Sequence, residues 1–138
     1  MKIGELAQRS GLSCHTIRYY ERIGLLPYAD RDGGGQRDYD KTILTWVCFL
    51  KNLKATGMPL AQMLEYASLR DKGDASITER RQKLEQHRKK VAQDIKQLQE
   101  NLQLLDKKII AYQTIEQEIE QGTTNTNLES RFRQLAKS

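Results

Sequence analysis

Cysteine and long apolar runs are scarce in this chain of 138 residues. Its two cysteines, Cys14 and Cys48, form neither a C-x-x-C pair nor a disulfide framework, and we expect both to be free thiols. No uninterrupted apolar stretch is long enough to span a bilayer, and no apolar signal-peptide run follows Met1. These absences argue against a disulfide-stapled or membrane protein and favour a protein of the reducing cytoplasm.

The residue groupings that catalysis requires are also missing. The sequence shows no paired acid and base, no nucleophile constellation and no phosphate loop, and Gly33–Gly35 lacks the strand-to-helix context of a nucleotide fingerprint. His15 and His87 have no other metal ligands near them in sequence, and the four clustered cysteines of an iron–sulfur centre are absent. We therefore predict that the protein is not an enzyme and has no cofactor or metal.

Charged residues are abundant. They make up 30% of the chain against 38% hydrophobic residues, and the net charge is +5. A basic balance favours an anionic partner, although many basic proteins never touch nucleic acid. So short a chain with so few apolar residues has room for one modest core, which indicates that other surface is buried against a partner.

The N-terminal region predicts two short helices joined by a tight turn. Helical spacing of apolar residues predicts the first over Ile3–Ser10, and Gly11 supplies the break expected past its end. Ser13 is placed to cap a second helix, Cys14–Ile23, by accepting the backbone N–H of Thr16. The short connection indicates a helix-turn-helix.

A β-wing and two further helices complete this domain. Three glycines, Gly33–Gly35, reject a helix and suit the tip of a hairpin over residues 28–39. A third helix is predicted from its cap, Asp40, up to Gly57, and Pro59 suits the first turn of a fourth helix that ends near Leu69. We expect a mainly α, winged helix-turn-helix domain over residues 1–70 and a linker at 71–75.

One long helix is predicted over residues 76–121. Residues 76–79 have the form of a capping box, and neither Gly nor Pro occurs again before Gly122. Apolar residues follow at alternating steps of three and four, interrupted only by Arg88 and Glu116, as is typical of a coiled-coil seam. The seam consists of Leu84, Val91, Ile95, Leu98, Leu102, Leu105, Ile109, Tyr112 and Ile119.

Such a seam requires a second helix to cover it. At 1.5 Å per residue the helix would be roughly 65–70 Å long, and no other segment of the chain matches it. A homodimer is the economical interpretation, and a seam folded back on its own domain is the alternative. The tail at 122–138 is rich in Thr, Asn and Gln and is expected to be loosely ordered.

The second helix of the N-terminal domain concentrates hydrogen-bonding side chains. As a recognition helix it would present Ser13, His15 and Thr16 to base edges, while Arg18 and Tyr19 contact the DNA backbone. The alternative is an ordinary capped surface helix with a buried tyrosine.

The wing contributes two more candidates. Arg37 and Tyr39 follow the glycine tip, so they would place a cation and a phenol against phosphates flanking the same groove. A solvated surface charge is the alternative for Arg37.

Three segments together resemble a known family. Residues 3–7, 16–26 and 37–39 are similar, in order and spacing, to the signature of MerR-type transcription regulators. The resemblance covers about residues 1–70, and a long dimer helix is also what that family has. It implies DNA contacts at Arg18, Tyr19, Tyr20, Arg37 and Tyr39.

The family resemblance also implies a mechanism. Two copies would pair through an antiparallel coiled coil and bind double-stranded promoter DNA at a pseudo-palindrome between overlong-spaced promoter elements. They would activate RNA polymerase at that promoter by bending and untwisting the DNA. Binding energy from phosphate contacts at both ends is a reasonable source for that deformation.

The resemblance extends to what the protein senses. The absence of cysteines after Cys48 argues against soft-metal sensing, and the chain is similar in length to the short aldehyde- and electrophile-responsive subgroup. A small reactive effector is implied, with Cys48 as a possible sensor, although the subgroup's cysteine falls at the position of Asn52. A small core residue is the alternative for Cys48.

Two other functions are compatible with parts of the sequence. An effector-independent architectural or excisionase-like DNA-binding protein would share the winged helix-turn-helix, but the long seam argues against it. A coiled-coil adaptor would show no salt-dependent affinity for DNA.

Overall fold

The computed structural model describes residues 1–122 and Arg133. It confirms the predicted class, a mainly α chain with a small β-wing and a long C-terminal helix. The predicted loose tail, apart from Gly122 and Arg133, lies outside the described residues. The elements are α1 (Ile3–Ser10), α2 (Cys14–Ile23), β1 (Asp30–Arg31), β2 (Arg37–Asp38), α3 (Lys41–Ala55), α4 (Leu60–Asp71) and α5 (Ile77–Glu120).

Local signals set the turn between α1 and α2. Gly11 has a φ of 76°, a left-handed conformation that favours glycine, and its N–H donates to the carbonyl of Ala7 at 2.9 Å. Ser13 accepts the N–H of Thr16 at 3.1 Å, which confirms the predicted cap. Lys51 of α3 donates to the carbonyl of Ser10 at 2.5 Å and so ties the end of α1 to the third helix.

The wing is a short antiparallel hairpin. Its strands have two residues each, and Arg31 on β1 lies opposite Arg37 on β2. The carboxylate of Asp32 accepts the N–H of Gln36 at 3.0 Å, and Gly35 has a φ of 80°. Because the tip is held by one side chain and a left-handed glycine, the hairpin forms despite its very short strands.

One core joins α1, α2, the wing, α3 and α4. The indole N–H of Trp46 donates to the carbonyl of Leu25 at 2.9 Å, and the Trp46 ring stacks on Tyr66 with centroids 5.8 Å apart. The guanidinium of Arg70 lies 4.5 Å from the centroid of the same indole. The largest fully buried apolar side chains are Leu6, Ile17, Leu25, Val47 and Leu50.

Two details after α3 differ from the prediction. Pro59 precedes α4 as its N-cap residue, and α4 continues to Asp71. The capping box from Ser76 is wrong, since Gly73–Ser76 form a 3-10 turn and the Ser76 hydroxyl donates to the carbonyls of Leu69 and Gly73. A capping signal reports only local sequence, whereas here the end of α4 supplies a competing acceptor.

The chain divides into two compact units, Met1–Val91 and Ala92–Ser138. The first unit contains the core described above. The division that the sequence predicts, with a linker at 71–75, stays a prediction. In the second unit, Ala111 and Ile115 of α5 form a small buried pair. Among the described residues no helix is long and apolar enough to cross a membrane.

Candidate nucleic-acid interface

The helix α2 has one exposed face made of polar and aromatic side chains. His15, Arg18, Tyr19 and Arg22 are exposed and follow the spacing i, i+3, i+4 and i+7, which places them on one side of a helix. The Arg22 guanidinium lies 5.5 Å from the centroid of the Tyr19 ring, so the two side chains support each other. Arg22 was not among the predicted contacts, although its spacing from Arg18 could have identified it.

The beginning of α2 is held by its own hydroxyls. Ser13 Oγ, besides accepting the N–H of Thr16, donates to Thr16 Oγ1 at 2.9 Å. His15, between them, is exposed. The half-buried Cys14 thiol lies 3.9 Å from the carbonyl of Ile3. Of the three predicted base-reading residues, His15 therefore has the side chain most available to a ligand.

A buried carboxylate connects α2 to the wing. Glu21 is 2% exposed, and it accepts hydrogen bonds from Arg37 Nε at 3.1 Å and from the hydroxyl of Tyr39. Burial, and next the hydrogen bond to Glu21, raises the pKa of Tyr39 well above its usual range, so the phenol stays a donor. A buried carboxylate is tolerated because both partners satisfy it. Glu21 thus positions Arg37 beside α2.

Glu21→Gln is expected to destabilise the domain by about 1–3 kcal/mol, because the amide removes the charge that pairs with Arg37 and can turn an N–H toward it. Urea unfolding followed by Trp46 fluorescence measures the change. Glu5→Gln is the matched control, since Glu5 forms an exposed pair with Arg9 at 3.5 Å and should change stability by less than about 0.5 kcal/mol. Equal midpoints for both variants would contradict the positioning role.

A basic groove lies between α2, the wing and the residues before α1. It has a volume of about 340 Å³ and is lined by Lys2, Ile3, Arg18, Arg31, Gly35, Gln36 and Arg37. Four of these residues are cationic. Carboxylates also lie nearby: Asp32 pairs with Lys2, Asp38 pairs with the N-terminal amine and interacts with Lys2, and the buried Glu21 pairs with Arg37. Converging cations in a narrow groove are suited to binding a phosphate backbone.

The structure brings Arg18 and Arg37 together, as the DNA-binding prediction required, and adds Lys2 and Arg31. Arg31 donates to the carbonyl of Gly35 at 3.1 Å, which holds its side chain along the hairpin. Sequence reasoning missed Arg31 because its place opposite Arg37 depends on the hairpin register. Lys2 could not be linked to the wing without the tertiary fold.

The two remaining predicted contacts, Tyr20 and Tyr39, are buried. Their exposed fractions are 7% and 3%, and both belong to the core cluster. The expectation that their phenols are presented to DNA is therefore corrected: both side chains pack in the core. Packing decided this outcome, because a tyrosine at a helical position can belong to either face.

The two thiols, Cys14 and Cys48, are free, and they differ in exposure. Cys14 is half-buried, whereas Cys48 is exposed on α3, as is Asn52 one turn later. The alternative of Cys48 as a small core residue is therefore wrong. Its neighbours Trp46 and Val47 supply the core contacts of that turn.

Two family models match the chain. The model of MerR HTH family regulatory proteins matches residues 1–68, and a second, described as MerR, DNA binding, matches residues 44–108.

Known relatives of the chain are named as regulators. It is 35% identical over 91 residues to the HTH-type transcriptional regulator AdhR of Bacillus subtilis, a match that covers 66% of this chain and 65% of AdhR. It is 37% identical over 107 residues to an uncharacterized HTH-type transcriptional regulator of Haemophilus influenzae, covering 78% and 79%. These relatives are transcriptional regulators rather than enzymes.

A solved structure is similar over most of the chain. It is that of HiNmlR, described as a MerR family regulator lacking the sensor domain, bound to promoter DNA. The TM-score is 0.74 at 35% identity, and the match covers 83% of this chain and 91% of HiNmlR.

Proposed function

Because the chain belongs to the MerR family and is a DNA-binding transcriptional regulator, we propose that it binds a pseudo-palindromic promoter as a homodimer and activates transcription by distorting the DNA. The observation that carries this proposal is the basic groove between α2 and the wing. The similarity to a regulator solved on promoter DNA supports it. Double-stranded promoter DNA is thus the main partner, with RNA polymerase acting at the same promoter.

In this proposal α2 enters the major groove and the wing follows the flanking backbone. The exposed His15 would read base edges near the helix start, where Ser13 and Thr16 form the cap and Thr16 is half-buried. Arg18 and Arg37 would hold phosphates in the basic groove. Base contacts supply specificity and phosphate contacts supply position, so the two parts of the surface have different roles.

The homodimer is proposed from the apolar seam of α5. Seven seam residues are more than half exposed in the single chain: Ile95, Leu98, Leu102, Leu105, Ile109, Tyr112 and Ile119. A second copy would bury them, and each fully buried side chain of this size contributes about 1.5–3 kcal/mol. Two-fold symmetry of such a dimer matches a pseudo-palindromic site.

Activation by distortion follows from having two DNA-binding surfaces on one dimer. Phosphate contacts at both half-sites supply free energy that can bend or untwist the base pairs between them, at a cost of order 1–6 kcal/mol for smooth bending. The proposal requires no contact to those central base pairs. A change in the dimer that alters the half-site distance would therefore alter transcription without loss of binding.

We also propose a small aldehyde or related electrophile as the effector, with Cys48 as its target. The exposed thiol on α3 supports this. The Cys48 sulfur would add to the aldehyde carbon and form a hemithioacetal, with the thiol proton transferred to the carbonyl oxygen. Modification on α3 would act on the same core that supports α2 and the wing.

Promoter binding and transcription in vitro test the proposal, with DNA from upstream of the protein's own gene and its neighbours, with and without aldehyde. We expect aldehyde to raise transcription for the wild type but not for Cys48→Ser, while both bind the promoter with similar affinity. Cys14→Ser is the matched control and should respond like the wild type, because Cys14 is half-buried against Ile3.

Other outcomes separate the parts of the proposal. An equal response of Cys48→Ser and wild type would refute Cys48 as the sensor. Binding by all proteins with no response to aldehyde would favour an effector-independent, architectural DNA-binding protein. Failure to bind any of these promoters would argue that the protein does not regulate its own gene or the neighbouring genes.

A further inference from the structure

The charges of α5 are distributed unevenly along its length. Its beginning is basic and its end is acidic, with Lys108 the last cationic residue before the helix stops at Glu120. The basic residues are Arg80, Arg81, Lys83, Arg88, Lys89 and Lys90, and the acidic ones are Glu116, Glu118 and Glu120. Antiparallel pairing of two copies brings unlike charges together, whereas parallel pairing brings like charges together.

A groove with an apolar floor and a basic rim lies at the beginning of α5. Its volume is about 500 Å³, and its floor is formed by Tyr66, Ile77 and Leu84. Ile77 is 54% exposed, which leaves apolar surface uncovered at the mouth of the groove. Such a surface favours an occupant that brings apolar side chains together with negative charge.

The rim contains one arginine that is available for a new partner. Arg81 pairs with Glu85 at 2.7 Å, and Arg80 donates to the Ser76 hydroxyl at 3.1 Å. Arg88 is exposed and has no hydrogen bond or ion pair within residues 1–122. It also occupies a seam position, where an apolar residue would be expected in a coiled coil.

Glu116 is the second polar interruption of the seam, and it mirrors Arg88. In sequence each lies two heptads, 14 residues, from Leu102, and Glu116 is likewise exposed without a partner within residues 1–122. If two antiparallel copies cross at Leu102, Arg88 faces the partner's Glu116, and Leu84 lies beside the partner's Ile119. In a parallel pair Arg88 would meet a second Arg88, and Glu116 a second Glu116.

We propose that this groove receives the acidic end of the partner's α5, and that the pair of Arg88 with the partner's Glu116 sets the orientation and register of the dimer. The proposal rests on the homodimer proposed above. It assigns the two interruptions a role as complementary charges, in the way that polar seam residues select register in coiled coils. Because of the two-fold symmetry, the contact occurs twice in each dimer.

Exchanging the charges at positions 88 and 116 in the full chain tests the proposal. The dimer Kd of each variant is measured by sedimentation at low salt. R88E alone replaces each of the two Arg88–Glu116 pairs of the dimer by a pair of carboxylates. E116R alone replaces each of them by a pair of guanidinium groups. We expect each to raise the dimer Kd about tenfold, because two weak attractions become two repulsions. The double variant R88E/E116R restores both pairs and should return the Kd to near the wild-type value.

Matched controls use exposed positions away from the seam. K96E and E100R make the same charge changes on α5 at outward-facing heptad positions, and both should dimerise like the wild type. Unchanged Kd values for both single variants, or a double variant no better than the singles, would overturn the pairing while leaving the dimer in place. A wild type that stays monomeric would instead overturn the proposed homodimer, and the pairing with it.

Discussion

Arg18→Ala is expected to weaken binding to the operator by about 10- to 100-fold. Arg18 is exposed on α2 and lines the basic groove with Lys2, Arg31 and Arg37. Its loss removes a charge-assisted contact at each half-site, and losing about 1.4–2.8 kcal/mol over the dimer corresponds to that range. The logarithm of the binding constant falls linearly with the logarithm of the salt concentration. Losing two phosphate contacts per dimer should make this slope shallower by about 1.8.

Fluorescence anisotropy with labelled promoter DNA over a series of salt concentrations measures both quantities. Lys72→Ala is the control, because Lys72 is an exposed cation at the end of α4, outside α2, the wing and the groove. It should leave affinity and salt slope nearly unchanged. The same result for Arg18→Ala would show that the assigned DNA surface is wrong.

Leu102→Asp is expected to separate the dimer and to abolish operator binding at concentrations where the wild type binds fully. Leu102 is 58% exposed in the single chain and lies at the middle of the predicted seam. In an antiparallel pair crossing there, two buried leucines would be replaced by two facing carboxylates. Losing the burial alone, about 1.5–3 kcal/mol for each leucine, raises the dimer Kd by more than a hundredfold.

Sedimentation and DNA anisotropy on the same samples test this expectation. Gln103→Asp is the matched control, since it adds the same charge at the neighbouring, outward-facing position of α5. It should remain a dimer and bind DNA. A dimeric Leu102→Asp variant would place the contact between copies away from this seam.

The two variants also distinguish the two surfaces from each other. Arg18→Ala should remain a dimer, because Arg18 belongs to α2 and takes no part in the seam. Leu102→Asp should keep the fluorescence and unfolding of Trp46, since the core of the first unit includes neither Leu102 nor its neighbours. Loss of DNA binding would therefore have a different cause in each case.

Much of the fold was predictable because its signals are local. The bounds of α1 and α2, the Ser13 cap and the Asp40 cap depend on hydrogen bonds between residues a few positions apart. The heptad spacing of α5 likewise arises from helical geometry alone. Where a neighbouring element offered a competing partner, as the end of α4 does for Ser76 through Leu69, the capping rule failed.

The candidate site was predictable only in part. Residue type and spacing identified Arg18 and Arg37, since cations near a helix-turn-helix and a glycine-rich hairpin are suited to DNA. Residue type and spacing could not show that Tyr20 is buried, or that Lys2 lines the groove. Periodicity defines a face of a helix, but it does not say which other segment covers that face.

The sequence by itself therefore determined the order of the elements, the winged helix-turn-helix and the apolar seam, because these follow from the backbone geometry of short segments. The tertiary structure alone decided that Glu21 accepts hydrogen bonds from Arg37 and Tyr39, that four cations line one groove, and that Cys48 is exposed. The physical reason is that burial and charge pairing depend on residues distant in sequence. Only packing brings those residues within contact distance.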